Sequence, residues 1–395
     1  MLLSYAFSNF HSFSERTEVS MVLTERDTVH GWDRTSPSGQ RATTALAVMG
    51  ANGAGKTTLV KALAFLSHFV RFSFGTDPKA EIPFVPHLAT RDAPAEFEVE
   101  ADDVNGVRWR YVLRATQHRV LHEALYRKGD RMGYVFVRDW NDSKQAYTVK
   151  QQDFGLAPTQ ASKVRPNVSL ISWAQQYGVE MAIHVAGFMV VSNLVFVGRE
   201  RMEDSAVLQA AEYFASNDEL QAQMRRLITS WDLGLSDVHI RKYENAPPEH
   251  GGESKAMWVP LGVHTARGVS FELPFGMESS GTQTALVLLW RLLPALAFGG
   301  VALIDELEND LHPHMIEPLL QLFDGQETNP HGAQLIFTSQ SPEVLKLLQR
   351  AQVMFVEKAD CESTAYRGDD IEGLTSAQNL YGKYMAGALG AVPQI

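Results

Sequence analysis

Cysteine is nearly missing from this chain of 395 residues: Cys361 is the single one. That excludes a disulfide framework and any cysteine-built metal site, and a reducing, cytoplasmic setting is expected. Excess positive charge is missing too, since 35 Lys and Arg stand against 46 Asp and Glu, a formal net charge of -11. A chain whose main task is to grip bare phosphate backbone is usually basic, so nucleic acid is not the default partner. No run approaches the roughly 18 consecutive apolar residues of a membrane span. The most apolar stretch, 181–197, is interrupted by His184, Ser192 and Asn193 and predicts a core helix or strand. The first residues show no basic segment followed by an apolar one, so no secretion signal is expected. Sustained heptads and internal repeats are also lacking, which excludes a long coiled coil and a solenoid.

What remains is an ordinary globular composition, 45% hydrophobic and 21% charged. The pattern predicts strands at 1–7 and 12–23, a polar loop over 24–41 and a short buried strand at 45–49. A Gly-rich turn and a helix over 57–70 follow, with Leu59, Leu63, Leu66 and Val70 on one face. Short strands at 97–99, 108–113, 121–126 and 134–137 predict an antiparallel lobe. Helices are expected over 170–187 and 202–231, strands at 238–243, 256–262 and 269–273, and a loop at 245–253. An apolar helix over 284–298 precedes buried strands at 301–304, 335–338 and 353–356 with helices between them. Such alternation predicts α/β architecture, a parallel sheet covered on both faces. Three segments are expected: an N-terminal lobe over 1–150, a helical insertion over 151–235 and a C-terminal lobe over 236–395.

Three motifs carry chemistry. The first is Gly50-Ala51-Asn52-Gly53-Ala54-Gly55-Lys56-Thr57, a complete match to the phosphate-binding pattern called Walker A, with Thr58 continuing the turn. Glycines let successive backbone N–H groups converge on a phosphate. Lys56 is expected on the terminal phosphates and the Thr57 hydroxyl on Mg²⁺, with ATP as the nucleotide. A chance Gly-rich turn is disfavoured because the motif lies between a buried strand and a helix. The second motif is Val301-Ala302-Leu303-Ile304-Asp305-Glu306, a buried strand ending in an acidic pair. Downstream of the first motif, Asp305 is the expected holder of the Mg²⁺ shell and Glu306 the base that polarises the attacking water. The third is Glu278-Ser279-Ser280-Gly281-Thr282, which opens the last long helix. By itself it is an ordinary N-cap. Its place one helix before the Asp305 strand is what marks it.

In this order the motifs resemble ABC-class ATPases of the SMC, RecF and OLD group, and most of all the stand-alone RloA-like and PARIS-type anti-phage ATPases. The resemblance spans nearly the whole chain, including Phe7-Ser8-Asn9-Phe10-His11-Ser12-Phe13, the stretch Glu306-Leu307-Glu308-Asn309-Asp310-Leu311-His312-Pro313, and the ending from Lys383 to Pro393. It implies a two-lobed P-loop ATPase head with an antiparallel β lobe and a helical insertion. It implies a self-association in which two chains sandwich ATP, with Ser279 and Gly281 as the signature and His312 in the D-loop. It further implies a sensor or scaffold role beside a separate effector, such as a TOPRIM nuclease, for which this sequence leaves no span. One departure stands out. Relatives commonly read Thr-Thr-His after the strand that follows the acidic pair. Here the chain reads Phe337-Thr338-Ser339-Gln340-Ser341, so Gln340 takes the switch position without a titrating group.

Two other features stay open or are set aside. Arg108, Arg110, Arg114 and Arg119, with Trp109 and Tyr111, form either a solvated sheet face or a contact to DNA, the partner of the alternative RecF-like reading. The histidines, including His30, the pair His118 and His122, and the pair His312 and His314, show no metal-ligand spacing.

Overall fold

The structure is a computed structural model that describes every residue except 26, 28, 30, 196–197, 200–203, 245–255, 377 and 393–395. The loop expected over 245–253, His30, and the last residue of the 383–393 stretch lie outside the described residues.

The fold is mixed α/β and is built around two large sheets. The first has six strands in the order Val190–Ser192, Val301–Ile304, Gln334–Thr338, Ala45–Gly50, Val353–Ala359 and Glu362–Arg367. The first five run parallel, and the last pairs antiparallel with its neighbour. Strands Ala45–Gly50, Val301–Ile304 and Gln334–Thr338 are buried along their whole length. Their unbroken apolar runs are what a sheet covered on both faces demands. Side chains alternate between the faces. Leu46 and Val48 join the core under helix Lys56–Phe72, while Ala45, Ala47 and Met49 join the core under helix Ser280–Phe298. The latter helix is long and apolar enough to cross a membrane by composition, yet Leu286, Leu289, Leu292 and Leu293 are fully buried in that second core.

The second sheet is antiparallel and has seven strands, in the order Ala146–Gln151, Met132–Asn141, Val120–Lys128, Arg108–Ala115, Ala95–Asp102, Leu2–Ser8 and Thr17–Ser20. It extends the expected lobe by the N-terminal strands and by Ala146–Gln151. Aromatic packing ties it to the helix Lys56–Phe72: the Phe65 and Phe10 rings lie 4.9 and 5.4 Å from that of Phe97. A smaller sheet contains Asp237–Glu244, Ala256–Ala266 and Val269–Pro274.

Three expectations are revised. The helix expected over 170–187 is two, Leu170–Gln176 and Glu180–Ala186, because Gly178 turns left-handed with φ 71°. The one expected over 202–231 is also two, Asp204–Ala215 and Asp218–Ser230, with the Asn217 side-chain amide donating to the Tyr213 carbonyl at the break. Between Gln334–Thr338 and Val353–Ala359 there are only 3-10 turns, Pro342–Lys346 and Arg350–Gln352, where a helix was expected.

The segments expected from the sequence interleave in space. Strand Ala45–Gly50 lies between two strands of the C-terminal segment. The first helix pair joins the core under Lys56–Phe72, and the second joins the core under Ser280–Phe298. The antiparallel sheet is locked to the first pair by a buried ion pair. Arg138 and Glu123 have no solvent exposure and lie 3.4 Å apart. Arg138 also donates to the Val168 and Arg165 carbonyls, while Glu123 accepts from the Leu170 amide, Ser169 Oγ and Tyr111 OH.

Candidate nucleotide site

The phosphate-binding turn leaves the carboxyl end of strand Ala45–Gly50, where ligand crevices of open α/β sheets form. Two of its glycines are sterically required. A Cβ on Gly50 would sit 2.4 Å from the Val356 carbonyl oxygen, and one on Gly55 would sit 2.6 Å from Ser363 Oγ. Gly55 also holds φ 116°, a region that side-chain-bearing residues avoid. Ser363 braces the turn from the edge strand, its Oγ 2.6 Å from the Ala54 carbonyl oxygen and 2.7 Å from Ser12 Oγ. Asn52, Gly53, Gly55, Lys56, Thr57 and Thr58 line one wall of a cavity of about 960 Å³. Gly50 and Ala54 support that wall from below, Ala54 being buried.

Lys56 donates from Nζ to the carbonyls of Gly50 at 2.8 Å and Ala51 at 3.1 Å, which holds its charge over the turn. Burial pushes its pKa down, and the carboxylates of Glu308, Asp305 and Glu306 oppose that shift. The Thr57 hydroxyl lies 3.0 Å from both carboxylate oxygens of Asp305, although 248 residues separate them in sequence. Asp305 is nearly buried and tightly oriented. Its carboxylate accepts from Thr338 Oγ1 at 2.7 Å, and its backbone exchanges two hydrogen bonds with the Asn193 amide, at 2.8 and 3.0 Å.

Glu306 sits just past the strand with φ 52°, a costly conformation for a non-glycine residue and one that functional turns retain. Its amide donates to Thr338 Oγ1 at 2.7 Å, and its side chain faces the same cavity. Gln340 lies opposite. Its Nε2 donates to Glu306 Oε1 at 3.1 Å, and its backbone amide donates to Glu308 Oε1 at 2.5 Å. The far wall is formed by His11 and Ser12, the 85–89 loop, and the turn 360–362.

The donor set fits a magnesium nucleotide. Mg²⁺ is commonly held by a hydroxyl, one carboxylate, water and phosphate oxygens rather than by an all-protein cage. Thr57 and Asp305 would hold the ion. Lys56 and the N-terminus of the helix it begins would hold the phosphates.

Ser279, Gly281 and His312 lie elsewhere. None of them lines the cavity of its own chain. Ser279 caps the helix Ser280–Phe298, accepting from the Thr282 amide at 3.2 Å, and is exposed. A Cβ on Gly281 would come 2.9 Å from the Asp310 carbonyl oxygen, so the start of the helix Ser280–Phe298 packs on the turn that follows Glu306. His312 is exposed and caps the 3-10 turn Pro313–Met315. Glu278, next to Ser279, is held by His264 at 2.7 Å.

Sequence reading missed Glu308, Thr338 and Asn193. Glu308 lies in the turn after the strand, where residue spacing assigns no face, and its part in the site comes from its contact with the distant Gln340 amide. Asn193 is joined to Asp305 across 112 residues and leaves no local trace.

A protein-family model described as "AAA domain, putative AbiEii toxin, Type IV TA system" matches residues 46–170 and 189–346. The chain belongs to this AAA family. It is an ATPase of the AAA type, and nucleotide binding goes with that membership. Two solved structures resemble this AAA ATPase over most of their length. One is an SMC head bound to the C-winged helix domain of ScpA, at 12% identity and TM-score 0.48, covering 93% of this chain and 97% of that one. The other is the SMC head domain from Thermotoga maritima, at 12% identity and TM-score 0.45, covering 93% and 98%. No curated protein matches the sequence.

Proposed function

We propose that this AAA ATPase binds ATP with Mg²⁺ in the cavity over residues 50–58 and hydrolyses it, with Glu306 as the base that polarises the attacking water. The observation that carries this reading is the contact of the Thr57 hydroxyl with both Asp305 oxygens, with Glu306 next in the chain and facing the same cavity. Mg²⁺ would offset charge developing on the phosphates. Lys56 would add a second positive contact. Gln340 and the Thr338 hydroxyl fix the position and orientation of Glu306.

The reading extends to assembly. Ser279 and Gly281 are exposed or partly exposed, lie at a helix N-terminus and are remote from the chain's own cavity. In the proposed ATP sandwich they would meet the γ-phosphate held by a second copy, and His312 would approach the shared interface. The biological role proposed is a cytoplasmic sensor or scaffold that controls a separate effector in anti-phage defence. The toxin–antitoxin wording of the family description supports a two-component system.

Duplex DNA as the partner is disfavoured by the arginine row. Arg108 pairs with Asp102 at 2.9 Å and Glu100 at 3.4 Å, Arg114 with Glu96 at 3.5 Å, and Arg110 with Glu98 at 3.9 Å. The guanidiniums are neutralised across the strand pair, and Arg119 stacks on Trp140.

The test is phosphate release together with light scattering. The wild type should release phosphate with Mg²⁺ and gain mass with ATP. The Lys56→Ala variant should keep its circular dichroism spectrum and lose both properties. Normal turnover in that variant would refute the assignment.

A further inference from the structure

A second cavity, of about 530 Å³, lies at the opposite end of the parallel sheet from the nucleotide site. Ligand crevices in such sheets form outside the carboxyl ends of the strands. This one opens at the amino ends, beside Val190 and Gly300. Leu63, Leu66 and Val70 of helix Lys56–Phe72 form one wall, and the helix Glu180–Ala186 forms another. The volume falls within the range of roughly 300–1,000 Å³ typical of small-molecule sites. At its rim Ile183 and Phe298 are exposed, at 48% and 63%. His184 is held at the mouth by Asp103, 3.0 Å away, and Asp103 also accepts from Trp109 Nε1 at 3.1 Å. Arg71 lines the cavity and pairs with no carboxylate among the described residues.

Three elements that line this cavity carry a nucleotide-site residue at their other end. Helix Lys56–Phe72 begins with Lys56 and Thr57. Strand Val190–Ser192 leads into Asn193, which brackets Asp305. Strand Val301–Ile304 begins after Gly300 and ends before Asp305. A shift of helix or strand at the cavity is thus carried along one rigid element, about 20 Å of helix from Thr57 to Val70 at 1.5 Å per residue.

We propose that this cavity is an effector site for a small amphiphile, an apolar body with an acidic head that meets Arg71, and that its occupancy is coupled to nucleotide binding. The apolar walls recognise the body. A guanidinium beside them gives a charge-assisted contact to a carboxylate or sulfonate. Coupling follows because the helix that holds the phosphates is also the wall that holds the ligand, and such coupling is reciprocal.

Anilinonaphthalene sulfonate is the probe, with neutral N-phenylnaphthylamine as its uncharged counterpart. The nucleotide-free protein should enhance the sulfonate's fluorescence saturably. Ile183→Trp at the mouth and Ser67→Phe on the wall alter partly exposed positions, so the fold should survive, and each should abolish the enhancement. Arg71→Gln should weaken the sulfonate about tenfold, near 1.4 kcal/mol, and leave the neutral dye unchanged. MgATP should shift the sulfonate affinity, and the sulfonate should shift ATP affinity by the same factor. Enhancement that persists in both plugged variants overturns the site. Equal weakening of the two dyes by Arg71→Gln overturns the acidic-head assignment. Dye release on raising protein concentration overturns it in favour of a second copy as occupant. Absence of any mutual shift while ATP still binds overturns the coupling. The dye measurements need no nucleotide, so failure of ATP hydrolysis leaves them intact.

Discussion

The Gln340 side chain donates to Glu306 across 3.1 Å, so it holds the proposed base directly. Its backbone is tied to Glu308 in turn, which makes a chain from Glu308 through Gln340 to Glu306. The two links differ in kind. Glu306 is asked to take a proton, whereas Gln340 only orients. Replacing the base with Glu306→Gln should lower kcat by roughly 10²–10⁴-fold, the span general-base groups contribute. Gln340→Ala removes one exposed hydrogen bond from a neutral amide to the Glu306 carboxylate, at about 1.5 kcal/mol, the low end for bonds to charged groups. Its loss should be about tenfold, and Glu308→Gln should resemble it. Steady-state phosphate release orders the three. A loss in Gln340→Ala as deep as in Glu306→Gln would contradict the division of roles.

His11 contributes to the pH dependence of stability, as does His68, whose pKa burial also lowers. His11 lines the far wall of the nucleotide cavity, and burial, with Lys61 adding repulsion, lowers its pKa to about 4. Its folded value therefore lies below the ordinary histidine value of 6.5. Between those two values the unfolded chain binds a proton at His11 and the native chain does not. Stability is at its full level above pH 6.5 and falls as pH drops toward 4. His11→Asn, which tolerates the left-handed φ of 50° there, should flatten that acid limb. Thermal melts at stepped pH measure it. An unchanged slope between pH 4 and 6.5 would show that His11 contributes nothing to it.

The parts of the site legible in the sequence are those contained in contiguous chain. Residues 50–58 are one contiguous motif between a buried strand and a helix, although the contacts that require Gly50 and Gly55 come from Val356 and Ser363, and Asp305 with Glu306 follows a buried strand. What was not legible depends on pairing between distant segments. Asn193 meets Asp305 only because Val190–Ser192 adds beside Val301–Ile304. Likewise the strand order that puts Ala45–Gly50 inside the C-terminal strands cannot be read from hydrophobic period, which reports a face and not a neighbour. The two split helices reflect backbone chemistry at Gly178 and Asn217, which apolar spacing runs through without registering.

Arg138 and Glu123 predict a stability effect away from the nucleotide. Both are fully buried, and each satisfies backbone groups of the 164–170 segment. Arg138→Met leaves the Glu123 carboxylate buried without its counter-charge, a defect that typically costs about 3–5 kcal/mol. The double change Arg138→Met with Glu123→Gln should recover part of that loss. Chemical denaturation of the two variants gives the comparison. A single variant as stable as the wild type would mean that the pair contributes no net stabilisation.

The sandwich makes the sharpest prediction, because a P-loop monomer would not share it. Ser279 caps a helix on an exposed surface and lies outside its own chain's cavity. In the proposed dimer, Ser279→Arg blocks the γ-phosphate site of the opposite subunit and leaves its own P-loop sound. Lys56→Ala does the reverse. Each variant alone should be inactive. In a mixed dimer one composite site joins a sound Lys56 to a sound Ser279, and the other carries both defects. Mixing the two inactive proteins should therefore restore activity, rising with the fraction of heterodimer toward half the wild-type rate per dimer if sites act independently. If subunits exchange and the mixture stays inactive, a cross-linked heterodimer with one damaged site decides the cause. Activity there, after a silent mixture, shows that one intact chain suffices and that hydrolysis is not composite, which overturns the sandwich. Silence there shows that turnover requires both sites at once.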